Sequence, residues 1–163
     1  MRRTDRQVTD LNDIKAILES AKVMHMGMTE DGRPYVLPLN YGYELEENCL
    51  KLYFHSALSG RKINVLAKNS SVFCEIASEH GIYGEGEEAC VYGYHFASVM
   101  GAGNAEILKD HEEKLAALER IMERQAGKTG YVYKMDLDKI AVVKITIMDF
   151  TAKANMPKMG HNL

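Results

Sequence analysis

The segment Leu52-Tyr53-Phe54-His55-Ser56-Ala57-Leu58-Ser59-Gly60-Arg61-Lys62 is the densest group of chemically able side chains in this chain of 163 residues. It reads as a strand that runs out into a helix. Two hydroxyls, a glycine and two cations then fall at a helix N-terminus, where backbone N–H groups and the helix dipole favour an anion. Phosphate suits such a place. The spacing also fits a plainer reading, in which Ser59 only caps the helix and Arg61 and Lys62 are solvated. His55 alternates with Leu52 and Phe54, so it points away from their apolar face. Its two ring nitrogens serve equally for a ligand or for a structural hydrogen bond. Histidines 25, 80, 95, 111 and 161 show no HExxH or paired-ligand spacing, so no metal site is expected. There is no GxSxG, P-loop or GxGxxG motif, and Gly101-Ala102-Gly103 lacks the third glycine of a dinucleotide turn. Pro38, in Leu37-Pro38-Leu39-Asn40-Tyr41-Gly42-Tyr43, cannot donate into a sheet ladder. Backbone groups beside it are free to meet the polar edge of a planar ring, although an ordinary edge strand explains the proline as well. Tyr92, Tyr94, His95 and Phe96 suit stacking on a flat ligand or packing in an interface.

These residues need elements to hold them. Leu11, Ile14, Ile17, Leu18 and Ala21 share one helical face behind Asp10 as N-cap, which predicts a helix over 11–21. Met24, Met26 and Met28 alternate with Val23, His25 and Gly27; a turn at Glu30-Asp31-Gly32 and the run Tyr35–Tyr41 complete a β-hairpin. A turn at Glu46-Glu47-Asn48 precedes a third strand carrying Leu50, Leu52 and Phe54, and a short helix with Ile63, Leu66 and Ala67 follows. Val72, Cys74 and Ile76 mark a fourth strand, and the glycine- and glutamate-rich stretch 79–89 reads as an exposed loop. Val99, Gly101, Gly103, Ala105 and Ile107 line one face of a strand within Phe96–Leu108, small enough for a tight bend or a close approach. Asp110 and Glu113 form a capping box for a helix that ends at Gly127, and a β-branched strand covers Ile140–Thr151. Six strands with local connections and two peripheral helices predict a mainly β chain with some α, a small antiparallel β-barrel in one domain over residues 1–163.

Composition narrows the function. Lys and Arg number 20 against 23 Asp and Glu, a net charge of −3, so no overall cationic field gathers nucleic acid or an anionic membrane. Any phosphate site must be local. Three widely spaced cysteines fit neither a disulfide framework nor a CxxC site and suit a reducing cytoplasm. No apolar run approaches the ~20 residues of a membrane span, so a secreted or membrane-spanning chain is not expected. The ten methionines read as core filler.

Taken in order, Met1-Arg2-Arg3-Thr4-Asp5-Arg6, Tyr35–Tyr43, Leu52–Ala57, Gly60-Arg61-Lys62 and Ser98-Val99-Met100-Gly101-Ala102-Gly103-Asn104-Ala105-Glu106 resemble the flavin-binding split-barrel proteins related to pyridoxamine 5′-phosphate oxidase. Within them the likeness is to the Nim-like nitroimidazole-resistance group. The resemblance implies a homodimer of six-stranded antiparallel split β-barrels with two FMN sites at the subunit interface. It sets the FMN phosphate at His55, Ser56, Arg61 and Lys62 and the ring edge along Pro38, Leu39, Asn40 and Tyr41, with Ser98 and Val99 supplied by the partner. FAD and haem are alternative cofactors. The oxidase's C-terminal arrangement of substrate-binding arginine and histidine is missing, so pyridoxamine phosphate oxidation is not implied. An FMN-dependent reductase of a small, flat, electron-poor substrate such as a nitro compound is implied instead, with His55 the candidate for proton delivery. The rival reading is a module that binds or stores flavin or haem without turnover.

Overall fold

The computed structural model describes residues 3–156; Met1, Arg2 and residues 157–163, His161 among them, lie outside the described residues. In chain order the elements are β1 (Gln7–Val8), α1 (Leu11–Ser20), β2 (Val23–Glu30), β3 (Arg33–Asn40), β4 (Gly42–Glu46), β5 (Cys49–Ala57), α2 (Arg61–Lys68), β6 (Ser71–Tyr83), β7 (Gly93–Ile107), α3 (His111–Ala126) and β8 (Ile140–Asn155). The strands pair antiparallel in the order β3-β2-β6-β7-β8-β5-β4, with β1 added to β8. The sheet is open, as a split barrel is, with β3 and β4 at its edges.

Local chemistry starts and stops the helices. Asp10 accepts from the N–H groups of Asn12 and Asp13 at 2.8 and 3.3 Å, and Asp110 from those of Glu112 and Glu113 at 2.9 and 3.0 Å. Gly127, at φ +75°, closes α3 with its N–H on the Glu123 carbonyl. The β2–β3 turn runs through Asp31 and Gly32, both at positive φ, which suits a tight hairpin.

Alternation along the strands makes the main core. Met24, Met26 and Met28, Leu52 and Phe54, Val72, Cys74 and Ile76, and Ile145 and Ile147 pack with Ile14, Ile17 and Leu18 of α1. Among the described residues Met135 and Met148 do not fill the core but are exposed. A smaller cluster on the opposite side of β5 and β8 packs Tyr53 and Val142 against Ala117, Leu118 and Ile121 of α3.

Two strands exceed the six expected. β1 is too short to show a period, and β4 is separated from β3 by a break at Tyr41. Gly42 marks that break, because a Cβ there would collide with the backbone of Arg120 and Ile121 on α3. The stretch 79–89 is exposed as expected, but its first five residues continue β6 through a register shift between Glu79 and Ile82, where Gly81 has φ +91°. Being exposed on both faces, those residues lack the alternation that would signal a strand. The small residues of β7 do mark a close approach: a Cβ on Gly101 would lie 2.6 Å from Ile147 Cγ2, and one on Gly103 2.9 Å from the Thr146 carbonyl. There β8 bulges against β7, with the register shifting between Ala102 and Asn104. Among the described residues no helix is long and apolar enough to cross a membrane.

Candidate functional site

β5 delivers the chain to α2, which packs on β2 and sets its hydrophobic side chains Ile63, Val65 and Leu66 in the main core. Gly60 is its N-cap, at φ +131° and with open space where a Cβ would stand. No side chain caps this helix. Ser59 therefore does not do so, unlike Asp10 and Asp110 at α1 and α3. The first amides of α2 keep their donor capacity and the positive end of the helix dipole.

The two cations at this end differ. Arg61 is committed: Nε and Nη2 both donate to Glu30 Oε2, at 2.8 and 2.7 Å, and the guanidinium lies 4.0 Å from the centre of the Tyr35 ring. It ties α2 to the β2–β3 hairpin. Lys62 is half-buried and has no ion-pair partner among the described residues. A cavity of about 260 Å³ lies at the other end of the helix, between the turn at Glu30–Gly32 and Val65–Asn69, and neither cation lines it. His55 is exposed and Ser56 half-buried, and as consecutive strand residues they point to opposite faces of β5.

The second group sits at the end of β3. Pro38 pairs with His25 and is exposed, Leu39 turns inward against the core, and Asn40 is exposed. Tyr41 is fully buried. Its hydroxyl donates to the Leu18 carbonyl at 2.6 Å with the Ala21 carbonyl also in reach at 3.2 Å. Burial pushes this phenol up to about 12. Only the backbone of Tyr41 is available to a ligand, and its carbonyl already accepts from Gln125 Nε2 at 2.9 Å. Asn40 Nδ2 donates to the Lys22 carbonyl at 3.1 Å and to Gln125 Oε1 at 3.3 Å.

The third pair stands apart. Ser98 and Val99 lie on β7, three strands from β3 in the sheet order, which is roughly 14 Å at ordinary strand spacing. Ser98 lies on the same face of the sheet as Pro38 and Asn40 but is itself buried, at 7% exposure, and Val99 belongs to the core. One chain thus gathers Arg61 and Lys62 at the start of α2, beside the β2–β3 hairpin. It does not bring Ser98 to either group.

A groove of about 710 Å³ lies elsewhere, between α1, β4 and α3. Its charges are paired internally: Arg120 with Glu44 and Glu123, and Tyr43 with Glu19. Lys22 and Arg124 there are held by backbone carbonyls. Sequence reasoning missed Glu30 and Tyr35, which hold Arg61, and Lys22, Arg124 and Gln125, which hold Asn40 and Tyr41. A positive charge near an aromatic ring and a carboxylate is readable only once the hairpin and α2 are adjacent.

Comparison with known proteins agrees with this architecture. A family model described as pyridoxamine 5′-phosphate oxidase matches residues 10–154. No curated protein matches the chain. Among solved structures, a candidate 5-nitroimidazole antibiotic resistance protein from Bacteroides thetaiotaomicron is 30% identical, with a TM-score of 0.77 over 91% of this chain and 86% of that one. A flavocytochrome from Azotobacter vinelandii is 22% identical, with a TM-score of 0.75 over 96% of this chain and 72% of that one. An FAD-binding protein from Mesorhizobium loti is 21% identical, with a TM-score of 0.63 over 93% and 98%. The family match over most of the chain, with the open antiparallel sheet shared with the Bacteroides structure, shows that the chain belongs to the pyridoxamine 5′-phosphate oxidase family of split-barrel proteins.

Proposed function

We propose that this protein is a flavoprotein that binds FMN, acts as a homodimer and passes electrons to small, flat, electron-poor substrates such as nitro compounds. The start of α2 carries the reading. An uncapped helix N-terminus behind a glycine at φ +131°, next to a half-buried lysine with no carboxylate partner, has the donors and charge that a phosphate requires. Lys62, the first amides of α2 and Ser56 would hold the phosphate, and Arg61 would join them when Glu30 releases it. Backbone groups at Pro38–Asn40 would read the ring edge, Leu39 steadying them from the core side, and the partner's β7 would bring Ser98.

Bound flavin supplies the electron and hydride transfer. The chain's own part is to bind, orient and shield. His55, exposed beside the α2 turn, is the site's candidate to hold a proton on a ring nitrogen and deliver it to substrate. The nitro compound as substrate class follows the name of the Bacteroides relative. Three unpaired thiols, Cys49, Cys74 and Cys90, suit a reducing cytoplasm as the setting.

The test is an absorption spectrum of the purified protein followed by titration with FMN. Flavin bands, or saturable FMN binding at micromolar protein, are expected. Preference for FAD in the same titration would replace FMN as cofactor, and a Soret band would replace flavin by haem. No binding of any of the three removes the reading.

A further inference from the structure

We propose that the last turn of α3 is a positioning element for the ring side of the flavin site, with Gln125 setting the strand end Asn40–Tyr41 and Arg124 anchoring it. The inference rests on the flavin reading above. β3 is an edge strand, paired only with β2, and its outer rim carries two prolines, Pro34 and Pro38. An edge strand that must present backbone groups to a planar ring at fixed height has no second strand to hold it. Something else must do so.

The end of α3 supplies that hold. The Gln125 amide donates to the Tyr41 carbonyl at 2.9 Å and to the Lys22 carbonyl at 3.1 Å, while its oxygen accepts from Asn40 Nδ2 at 3.3 Å. Asn40 Nδ2 also donates to the Lys22 carbonyl, and Lys22 Nζ donates to the Arg124 carbonyl at 2.7 Å. One residue upstream, the buried Arg124 guanidinium donates to the Leu18 carbonyl at 3.1 Å, the Glu19 carbonyl at 2.8 Å and the Ala21 carbonyl. Those are the orphan carbonyls at the end of α1. Tyr41 reaches the Leu18 carbonyl from the other side. Two helix ends therefore close on the dipeptide where the edge strand stops, α3 through Gln125, 84 residues from Tyr41, and α1 through the Leu18 carbonyl, 23 residues from it.

The two residues divide the work. Arg124 satisfies buried carbonyls, and its loss would cost the fold. Gln125 is half-buried, and among the described residues its side chain hydrogen-bonds only to Lys22, Asn40 and Tyr41. A methionine there keeps length and helix propensity but removes the polar link.

The experiment measures dissociation constants for FMN and for riboflavin in wild type, Gln125→Met and Lys62→Ala, with the flavin absorption band and the melting temperature recorded for each. Gln125→Met is expected to weaken both ligands by the same factor, roughly fivefold for the hydrogen bonds removed. It should also shift the bound flavin's absorption fine structure while the melting temperature moves by a few degrees at most. Lys62→Ala should weaken FMN alone. Gln125→Ala, also compatible with the helix, carries the same expectation should the methionine variant fail to fold. Wild type that binds neither flavin overturns the cofactor reading and this inference with it. Wild type that binds while both Gln125 variants match its affinity and spectrum overturns the positioning role alone. Loss for FMN without loss for riboflavin places Gln125 on the phosphate side and overturns it too.

Discussion

Lys62 and Arg61 are neighbours with opposite fates. Arg61 is already neutralised by Glu30 and stacked on Tyr35, so its charge is spent inside the chain. Lys62 has no such partner among the described residues, which makes it the cation the proposed phosphate site rests on. Lys62→Ala should therefore weaken FMN by about 10- to 100-fold, the equivalent of one hydrogen bond to a charged group at about 1.5–3 kcal/mol, and leave riboflavin unchanged. Glu30→Gln should act in the other direction. Freed from its carboxylate, Arg61 becomes available to the phosphate, and FMN affinity should rise while riboflavin affinity stays flat. Calorimetric titration of both ligands against both variants checks the assignment. Equal losses for FMN and riboflavin in Lys62→Ala would move the phosphate elsewhere. The start of α2 behind Gly60, with two cations on it, was legible in the sequence because a helix start, a glycine and two cations are all local. The distinction between the two cations was not, because Glu30 lies 31 residues from Arg61 and meets it only through the hairpin.

At the scale of elements, the contacts that seat β3 and β4 on the helices also set how stability depends on pH. Burial pushes the Tyr41 phenol from its ordinary value of 10.0 up to about 12, so the folded state favours the neutral form. The folded value lies above the unfolded one. The contribution is complete below pH 10 and is lost as pH rises from about 10 towards about 12. Cys74 acts on the same alkaline limb, since burial pushes its thiol from 9.0 up to about 12. Tyr41→Phe should lose about 1 kcal/mol at neutral pH, one buried hydrogen bond, and then show a shallower alkaline decline, with the remainder due to Cys74 and to Tyr43, Tyr53 and Tyr133, which burial also pushes up. Urea midpoints between pH 7 and pH 11 test this, and an unchanged slope in Tyr41→Phe would remove Tyr41 from the linkage. Elements followed from the sequence wherever a period or a cap was local. α1, α3, the β2–β3 hairpin and the small residues of β7 are of this kind. β4 was hidden because five residues ending a kinked segment show no usable alternation. Gln125 was hidden because a glutamine in a helix's last turn looks like any solvated residue until the strand it holds is folded against it.

The whole molecule is an open sheet whose outer face over β3, β2, β6 and β7 carries exposed apolar residues: Val36 is 60% and Phe73 50% exposed, beside exposed Pro38, Ala77 and Ala102. A patch of this kind asks for cover. A second copy placing its own β7 near the first would also bring Ser98 to the ring, a move one chain cannot make across three strands. Sedimentation at about 10 µM, well above the dissociation constant of an obligate dimer, should give twice the chain mass. Phe73→Asp should yield monomers that lose FMN as well, and monomeric wild type would refute the shared site. The chemistry tests the assembled molecule. A cleft between two copies that grips the flavin by its phosphate and one ring edge leaves a ring face for a flat acceptor, whose effective concentration there exceeds that in solution. The exposed Tyr92 and Tyr94 of the β6–β7 arm are candidates for the facing wall. Protein loaded with FMN and reduced anaerobically should therefore be reoxidised by a nitroaromatic faster than free reduced FMN. His55→Phe should slow that reoxidation by about 10²-fold, the lower range for a positioned proton donor, without changing FMN affinity. Stopped-flow traces decide it. Equal rates for bound and free flavin would leave a binding module without turnover, and loss of FMN affinity in His55→Phe would assign the imidazole to the phosphate instead of the proton.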